Sequence, residues 1–202
     1  WTNSATYTYT GSSQAGTVSA SYTNVESSPV ALAIEFTVGE AEREFLAADT
    51  YTVTAGFVPG DNEKGNYELS GSVITLVIDR FTITSVTWYR NGESISDGTE
   101  IVYDGYDQRS DITVGFTGPD SDHSLTFEIT AGSDAAAFKN VNEYKFTALI
   151  GEYSGNYKFA DDIDADIVLK IVEAGLTEVT LPVNWTFTYD VASHSVVENQ
   201  TV

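Results

Sequence analysis

The chain has 202 residues, lacks cysteine and methionine, and carries 9 Lys and Arg against 30 Asp and Glu, a formal net charge of -21. This acidic field repels phosphate groups, so nucleic acid is excluded as a partner class and binding to anionic membranes is disfavoured. Without cysteine there is no disulfide, thiolate nucleophile or cysteine-based metal site, and because no apolar run approaches the ~20 residues of a membrane span, no membrane insertion is predicted.

Most predicted elements along the chain are β-strands. Apolar and polar residues alternate in residues 5–10, 51–54 and 81–88, and this period of two is typical of a strand with one buried face. Thr, Val, Tyr and Ile supply the bulk that strands favour, and turn signals such as residues 59–62 separate the runs. The sequence therefore predicts an all-β fold.

One type of segment has helical chemistry instead. Residues 40–48 are rich in Ala and Glu, and residues 133–138 contain three consecutive alanines. Both compositions favour a helix. We expect a single helical turn or short crossover in each place, with Phe45 and Phe138 filling the core.

An internal repeat organises these elements. Residues 32–55 align without a gap on residues 125–148, and eight of the 24 aligned positions are identical. Chance would give about one or two identities, since common residues each make up roughly 7% of a sequence. Tyr51 aligns with Tyr144, so we expect these two tyrosines to occupy the same kind of environment.

The repeat extends in both directions from this block. The motif Gly-Asn-Tyr at residues 65–67 recurs at residues 155–157, and Tyr-x-Gly-x-x-Gln at residues 9–14 recurs at residues 103–108. Small shifts in spacing between the blocks are typical of loops that differ in length. The repeat unit therefore covers most of each half of the chain.

Three domains follow from the phase of the repeat. The first module is predicted at residues 1–83 and the second at residues 84–175. Residues 185–190 resemble residues 5–10, so the C-terminal strands at residues 176–202 are interpreted as a partial third repeat or an assembly segment. Stacked repeats of this kind extend a chain using contacts between neighbours only.

Four short motifs follow one another in the first module. They are Tyr-x-Gly-x-x-Gln at residues 9–14, Thr-Tyr-x-Val-Thr-Ala within residues 49–56, Gly-Asn-Tyr at residues 65–67 and an apolar strand at residues 73–78. In this order they resemble the MBG and related Ig-like repeats of large bacterial surface proteins. The resemblance implies two tandem Ig-like modules, of β-sandwich or β-grasp-like form, that are exported and serve as stalk or adhesive repeats beside neighbouring repeats of the same protein.

An acidic run late in the second module is a candidate calcium site. Calcium takes roughly six to eight oxygen ligands, and carboxylates at alternate positions of a short loop can supply several of them. The run lacks the glycine and the distal glutamate of an EF-hand, and a solvated acidic loop is the alternative. The candidate ligands are Asp161, Asp162, Asp164 and Asp166. Asp120 and Asp122 form a second candidate with the same alternative.

No catalytic constellation stands out in the sequence. Glu35 and Glu128 have the chemistry of an acid–base pair, but they hold equivalent positions in the repeat, which favours a scaffold role. His123 and His194 have no nucleophile motif or metal-ligand spacing around them. The chain is therefore predicted not to be an enzyme.

The aromatic residues leave glycans open as a partner class. Exposed aromatic rings could form a platform on which sugars stack, but aromatic residues on strands more often fill a core or form cross-strand pairs. The candidates are Trp1, Trp88, Trp185, Tyr103 and Tyr106.

Three functions compete on these grounds, all of them extracellular. The leading one is a non-enzymatic structural or adhesive repeat module of a secreted bacterial cell-surface protein. The second is a self-assembling fibre or surface-layer subunit, in which C-terminal strands pair with another copy through Trp185, Phe187 and Tyr189. The third is a carbohydrate-binding module.

Overall fold

The computed structural model describes residues 1–4, 6–60, 65–132 and 137–175. Within these ranges the chain is all-β with several sheets, consistent with a β-sandwich, so the predicted fold class is confirmed at that level. The helical segments of the described ranges are short 3-10 turns at Ala15–Thr17, Arg109–Asp111 and Gly151–Gly155. No described helix is long and apolar enough to cross a membrane.

The strands are short, and the longer ones alternate more and less buried residues. They are β1 Tyr7–Thr8, β2 Ser21–Thr23, β3 Pro29–Ala31, β4 Ala33–Val38, β5 Ala41–Glu42, β6 Asp49–Gly56, β7 Val73–Asp79, β8 Phe81–Ile83, β9 Thr87–Arg90, β10 Glu93–Ile95, β11 Glu100–Val102, β12 Ile112–Thr117, β13 Asp122–Ala131, β14 Asn142–Leu149, β15 Tyr157–Phe159 and β16 Asp166–Val172.

Two large sheets hold most of these strands. A five-stranded sheet has the order β1-β7-β6-β4-β5, and a seven-stranded sheet has the order β10-β9-β12-β13-β14-β16-β11. β2 and β3 form a separate hairpin, and β8 pairs with β15. Each large sheet therefore draws its strands from one half of the chain, whereas the β8–β15 pair joins the two halves.

The two large sheets share one register. In the first sheet β4 and β6 place Ala33 opposite Gly56, and in the second sheet β13 and β14 place Thr126 opposite Leu149. Both partners have moved by the offset of 93 residues that aligns Leu32 with Leu125 in the sequence. A slip of one residue would turn every buried side chain outward, so the shared register is the structural counterpart of the sequence repeat.

The same offset holds for the next strand pair. β6 and β7 place Tyr51 opposite Leu76, and β14 and β16 place Tyr144 opposite Leu169. Each sheet then adds a parallel strand, β1 beside β7 and β11 beside β16. The two halves of the chain thus repeat a four-strand arrangement that includes this parallel strand.

Equivalent aromatic residues fill the core of each half. Phe45 and Tyr51 meet edge to face with ring centroids 4.9 Å apart, and Phe138 and Tyr144 do the same at 4.9 Å. The tyrosines are 1% and 0% exposed, and their hydroxyl groups donate to backbone carbonyls at 3.0 Å and 2.9 Å. The prediction that Tyr51 and Tyr144 share one environment is confirmed.

A glutamine anchors the loop that follows the parallel strand in each half. The Gln14 backbone N–H donates to the Phe45 carbonyl at 2.8 Å, and the Gln108 backbone N–H donates to the Phe138 carbonyl at 2.9 Å. Each side-chain amide also donates to a carbonyl at the end of its parallel strand, at 2.9 Å and 3.1 Å. The Tyr-x-Gly-x-x-Gln motif therefore has the same spacing in both halves because its glutamine holds the same loop in place.

The predicted helical crossover does not form in residues 40–48. Ala41–Glu42 is instead the short strand β5, which pairs with the end of β4. The Arg43 amide N–H donates to the Phe36 carbonyl at 2.9 Å, so strand pairing satisfies backbone groups that a helical turn would have satisfied locally. Phe45 fills the core as expected. Most of the counterpart segment, residues 133–136, lies outside the described residues.

Candidate functional site at the junction of the two halves

The junction between the two halves begins with backbone pairing. β8 follows the last strand of the five-stranded sheet and runs parallel to β15, aligning Phe81 with Tyr157 and Ile83 with Phe159. The Phe81 amide N–H donates to the Asn156 carbonyl at 2.8 Å. Because the connecting segment is itself a strand with bonded neighbours, its backbone groups are satisfied by the second half rather than by water.

The turn that precedes β15 adds two further links. The Ala48 amide N–H donates to Asn156 Oδ1 at 2.9 Å, and the Arg80 guanidinium donates to the Ser154 carbonyl at 3.2 Å. Both donors belong to the first half and both acceptors to the second. The Gly-Asn-Tyr motif at residues 155–157 therefore works as a docking turn for the first half.

A carboxylate on the hairpin between β12 and β13 forms the centre of a side-chain network at the junction. The Tyr9 hydroxyl donates to Asp120 Oδ2 at 2.9 Å, and the Tyr157 hydroxyl donates to Asp120 Oδ1. His123 Nε2 lies 2.9 Å from Asp120 Oδ1 and 2.9 Å from the Tyr157 hydroxyl oxygen. Since Tyr9 comes from the first half and the other residues from the second, Asp120 links the two halves.

The electrostatics of this network favour an ionised Asp120. Burial raises the pKa of the Asp120 carboxyl, but hydrogen bonds from Tyr157, His123 and Tyr9 outweigh burial and hold the pKa well below its ordinary range. Burial, then the hydrogen bond to Asp120 and its negative charge, raise the pKa of both Tyr157 and Tyr9. At neutral pH the network therefore holds one anion between two neutral phenols.

Aromatic rings and a glycine bring the two halves into close contact. The Tyr9 and Tyr157 rings meet edge to face at 5.3 Å, and the Phe81 and Tyr157 rings at 5.9 Å. Gly11 has a φ of +74°, and a Cβ added there would lie 2.3 Å from Cβ of Asp120. Glycine is therefore required at this position by its left-handed backbone and by the close approach of the hairpin.

The chemistry of the network suits it to holding surfaces together. A general acid or base needs a pKa near the working pH and access to a substrate proton. The low pKa of Asp120 and the raised pKa of Tyr157 both lie far from pH 7. The Tyr157 hydroxyl and the Asp120 carboxylate also already form a hydrogen bond with each other. The side chains of His123 and Asp120 are only 12% and 28% exposed.

The structure does not gather the predicted calcium ligands into one site. Asp161 and Asp162 lie in an exposed turn, Asp164 accepts from the amide N–H of Asp166 at 3.2 Å, and Asp166 pairs with Lys145 at 2.5 Å. In the described ranges no three His, Cys, Asp or Glu side chains are placed to hold a metal ion. Calcium binding at this run stays a prediction, and Lys145 would compete with the cation for Asp166.

The second acidic candidate is also engaged by protein groups. Asp122 accepts a hydrogen bond from the Thr117 hydroxyl at 2.7 Å, and Asp120 belongs to the junction network. Glu35 and Glu128 hold equivalent ladder positions, each opposite a threonine. This placement agrees with the interpretation of the two glutamates as repeated scaffold positions.

The predicted aromatic residues are divided between core, surface and undescribed chain. Trp88 is buried, so it is not part of a sugar-binding surface, whereas Trp1, Tyr103 and Tyr106 are exposed. The predicted assembly residues lie outside the described residues, together with the rest of the predicted domain at residues 176–202. They are Trp185, Phe187 and Tyr189.

Asp120, His123 and Tyr9 are junction residues that the sequence alone does not reveal. Tyr9 opens the Tyr-x-Gly-x-x-Gln motif, but nothing in that motif points to Asp120, which is 111 positions away in the chain. The available signal is indirect: Gly-Asn-Tyr recurs in both halves, although neither its glycine nor its asparagine has a side chain suited to a core. A repeated polar turn of this kind favours a contact between repeats over a contact within one.

The chain was compared with models of known protein families, with curated proteins and with solved structures, and it matches none of them. The resemblance to MBG and related Ig-like repeats therefore stays a prediction.

Proposed function

We propose that the chain contains two tandem Ig-like repeat modules, at residues 1–83 and 84–175, from a non-enzymatic structural or adhesive region of a secreted bacterial cell-surface protein. In this role the junction fixes the orientation of neighbouring repeats and keeps the array extended from the surface. The partners of each repeat are its neighbours in the same protein.

The observation that carries the proposal is a duplicated strand register combined with a built contact between the copies. The two halves pair their strands at the same offset, and the segment that connects them forms a strand with the second half. A spacer needs both properties, because each repeat in such an array is stabilised by itself and by its nearest neighbour.

Composition supports an extracellular location for this spacer. The net charge of -21 favours solubility and resists non-specific association at a crowded surface. The chain has no thiol that an oxidising environment could modify. Surface labelling of intact cells with an antibody against the chain tests the location, and labelling only after lysis would contradict it.

A distance measurement across the junction tests the spacer role. The chain has no native cysteine, so spin labels can be placed at two substituted positions without background. Glu42→Cys and Ser94→Cys put labels on exposed residues of the first and second halves. We expect double electron–electron resonance to give one narrow distance distribution.

The control is the same labelled pair carrying Gly11→Ala, which forces a Cβ against Asp120 and should broaden the distribution. A broad distribution in the unsubstituted background would mean that the halves move as beads on a flexible string. That result would contradict the proposed spacer role.

A further inference from the structure

An open groove lies at the end of the second half that is remote from the junction. It is lined by residues 141–143, where β14 begins, and by residues 170–173, where β16 ends. Val141 in this groove is 49% exposed. Among the described residues, no other element contributes to its lining.

The first half has the same groove, and there residues of the second half line one side of it, so it is called the filled groove. Its lining residues 48–50 and 77–80 each lie 93 positions before their counterparts in the open groove. Ser154 and Gly155 of the second half complete this lining. An internal example therefore shows what kind of segment this groove binds, namely the docking turn of the following repeat.

The hydrogen-bonding potential of the filled groove recurs in the open one. At the junction the Ala48 amide N–H donates to Asn156 Oδ1 at 2.9 Å. Val141 stands in the place of Ala48, and its amide N–H has no acceptor among the described residues. An amide oxygen presented by another chain would complete the open groove as Asn156 completes the filled one.

The loop beside the open groove also repeats the junction loop. Tyr103 takes the place of Tyr9, and it is 37% exposed where Tyr9 is 8% exposed. Gly105 takes the place of Gly11 with a φ of +84°, but a Cβ there would meet only the Tyr103 hydroxyl, at 3.9 Å. This end of the chain thus has a junction loop without the hairpin that would press on it.

The complementary docking turn is present in the first half. Residues 65–67 repeat the Gly-Asn-Tyr of residues 155–157. The ring of Tyr67 packs on Tyr22 at 5.1 Å, as the ring of Tyr157 packs on Phe116 at 5.0 Å. In both halves, therefore, the tyrosine of the turn packs on an aromatic ring of the neighbouring hairpin.

The hairpin next to this turn has the matching charge. The loop between β2 and β3 carries an exposed Glu26, where the loop between β12 and β13 carries Asp120. Asn66 is exposed as well. The first half therefore presents a carboxylate and an amide on the surface that, in the second half, contacts a preceding repeat.

We propose that the open groove binds the turn at residues 65–67 of a second copy of this chain, so that copies join head to tail through the contact that joins the two halves. Val141 N–H then donates to Asn66 of the second copy, and Tyr103 donates to its Glu26. The proposal rests on the proposed function, because it treats the halves as copies of one repeat. The two surfaces differ, so the association is heterologous and continues into open filaments.

The strength of this contact between separate copies is set by tethering and charge. Within one chain, tethering supplies an effective concentration on the order of millimolar, and a contact that forms at this concentration has a dissociation constant of ~1 mM or below, so separate copies should associate by ~1 mM. The net charge of -21 on each copy opposes association. Salt at about 1 M reduces the screening length to ~3 Å and should therefore strengthen association.

Sedimentation velocity of the full chain at up to ~1 mM in about 1 M NaCl tests the proposal. Val141→Asp blocks the groove, Asn66→Ala removes the acceptor on the turn, and Thr113→Asp is a charge control on an exposed position of β12. We expect dimers and longer species for the parent and the control, and at least ~10-fold weaker association for each of the other variants.

A mixture of the two defective variants gives the sharpest readout. The Val141→Asp chain keeps a sound turn and the Asn66→Ala chain keeps a sound groove, so together they should form heterodimers that cannot grow further. A monomeric parent at ~1 mM, including one whose own residues 176–202 cover the groove, would overturn the proposal. So would unchanged association of either variant, or a mixture that stays monomeric. The double electron–electron resonance distance across the internal junction could still be narrow in each of these cases. Failure of head-to-tail association is therefore distinguishable from failure of the proposed spacer role.

Discussion

Gly11→Ala should separate the contribution of the junction from that of the backbone conformation. Gly11 and Gly105 are equivalent residues of the repeat and both have positive φ, +74° and +84°. They differ in their neighbours, because a Cβ at Gly11 would lie 2.3 Å from Cβ of Asp120, whereas a Cβ at Gly105 has open space beyond the Tyr103 hydroxyl at 3.9 Å. Gly105→Ala is therefore the matched control.

The expected magnitudes follow from these distances. A left-handed backbone costs an alanine about 1–2 kcal/mol at either position. At Gly11 the new carbon must also move from 2.3 Å to a normal carbon–carbon separation of about 3.5 Å, which opens the junction by ~1 Å. The Tyr9–Asp120 bond at 2.9 Å does not survive that shift, since geometry near ~3.6 Å no longer counts as a hydrogen bond. Overpacking of this kind typically adds about 1–3 kcal/mol.

Urea unfolding monitored by tryptophan fluorescence measures the two losses. We expect the free energy of unfolding to fall by about 1–2 kcal/mol for Gly105→Ala and by about 2–5 kcal/mol for Gly11→Ala. Equal losses in the two variants would show that the contact between Gly11 and Asp120 does not hold the halves together.

Acid should weaken the junction, because the folded-state pKa of Asp120 is depressed; the stabilisation is full above the unfolded pKa of about 3.9 and is lost as pH falls through the lower folded pKa. Melting temperatures from pH 7 to pH 2.5 should therefore fall less steeply for Asp120→Asn, and equal slopes would contradict this role. Asn156→Ala leaves the Ala48 amide N–H without its acceptor and should cost about 1–3 kcal/mol, whereas Asn66→Ala should change the free energy of unfolding by less than ~0.5 kcal/mol; similar losses would mean that the turn acts within each half. Calcium bound at residues 161–166 would raise the melting temperature by mass action, and an unchanged calorimetric transition in millimolar calcium against EDTA would identify the run as a solvated loop.

The repeat and the core of each half could be predicted because they depend on local patterns. An alternating strand sets which side chains share a face, so alignment of Tyr51 with Tyr144 was enough to predict one environment for both, and the structure shows that this environment is the core. The helical crossover was predicted wrongly at residues 40–48 for a related reason. Helix propensity is a weak prior of tenths of a kcal/mol per residue, and pairing of Ala41–Glu42 with β4 overrides it.

The candidate site could be predicted only in part. Asp120 has the chemistry of a metal ligand when its hairpin is read alone, and its three hydrogen-bonding neighbours change that interpretation. Asp166 was likewise a candidate metal ligand, and in the structure it pairs with Lys145 on the adjacent strand β14. Tyr9 and Tyr157 are distant from Asp120 in sequence, as Lys145 is from Asp166, and no local motif links the members of either set.

The sequence by itself determined the all-β class, the offset between the halves and the burial of Phe45 and Phe138. These features follow from the alternation of apolar and polar residues and from the internal repeat, both of which can be read directly from the sequence. Only the tertiary structure decided how the halves meet, which turn docks in which groove and which carboxylate becomes the link. Those contacts join residues as far apart as Tyr9 and Asp120, and they depend on loop conformations that fix where each hairpin ends in space, which no local period specifies.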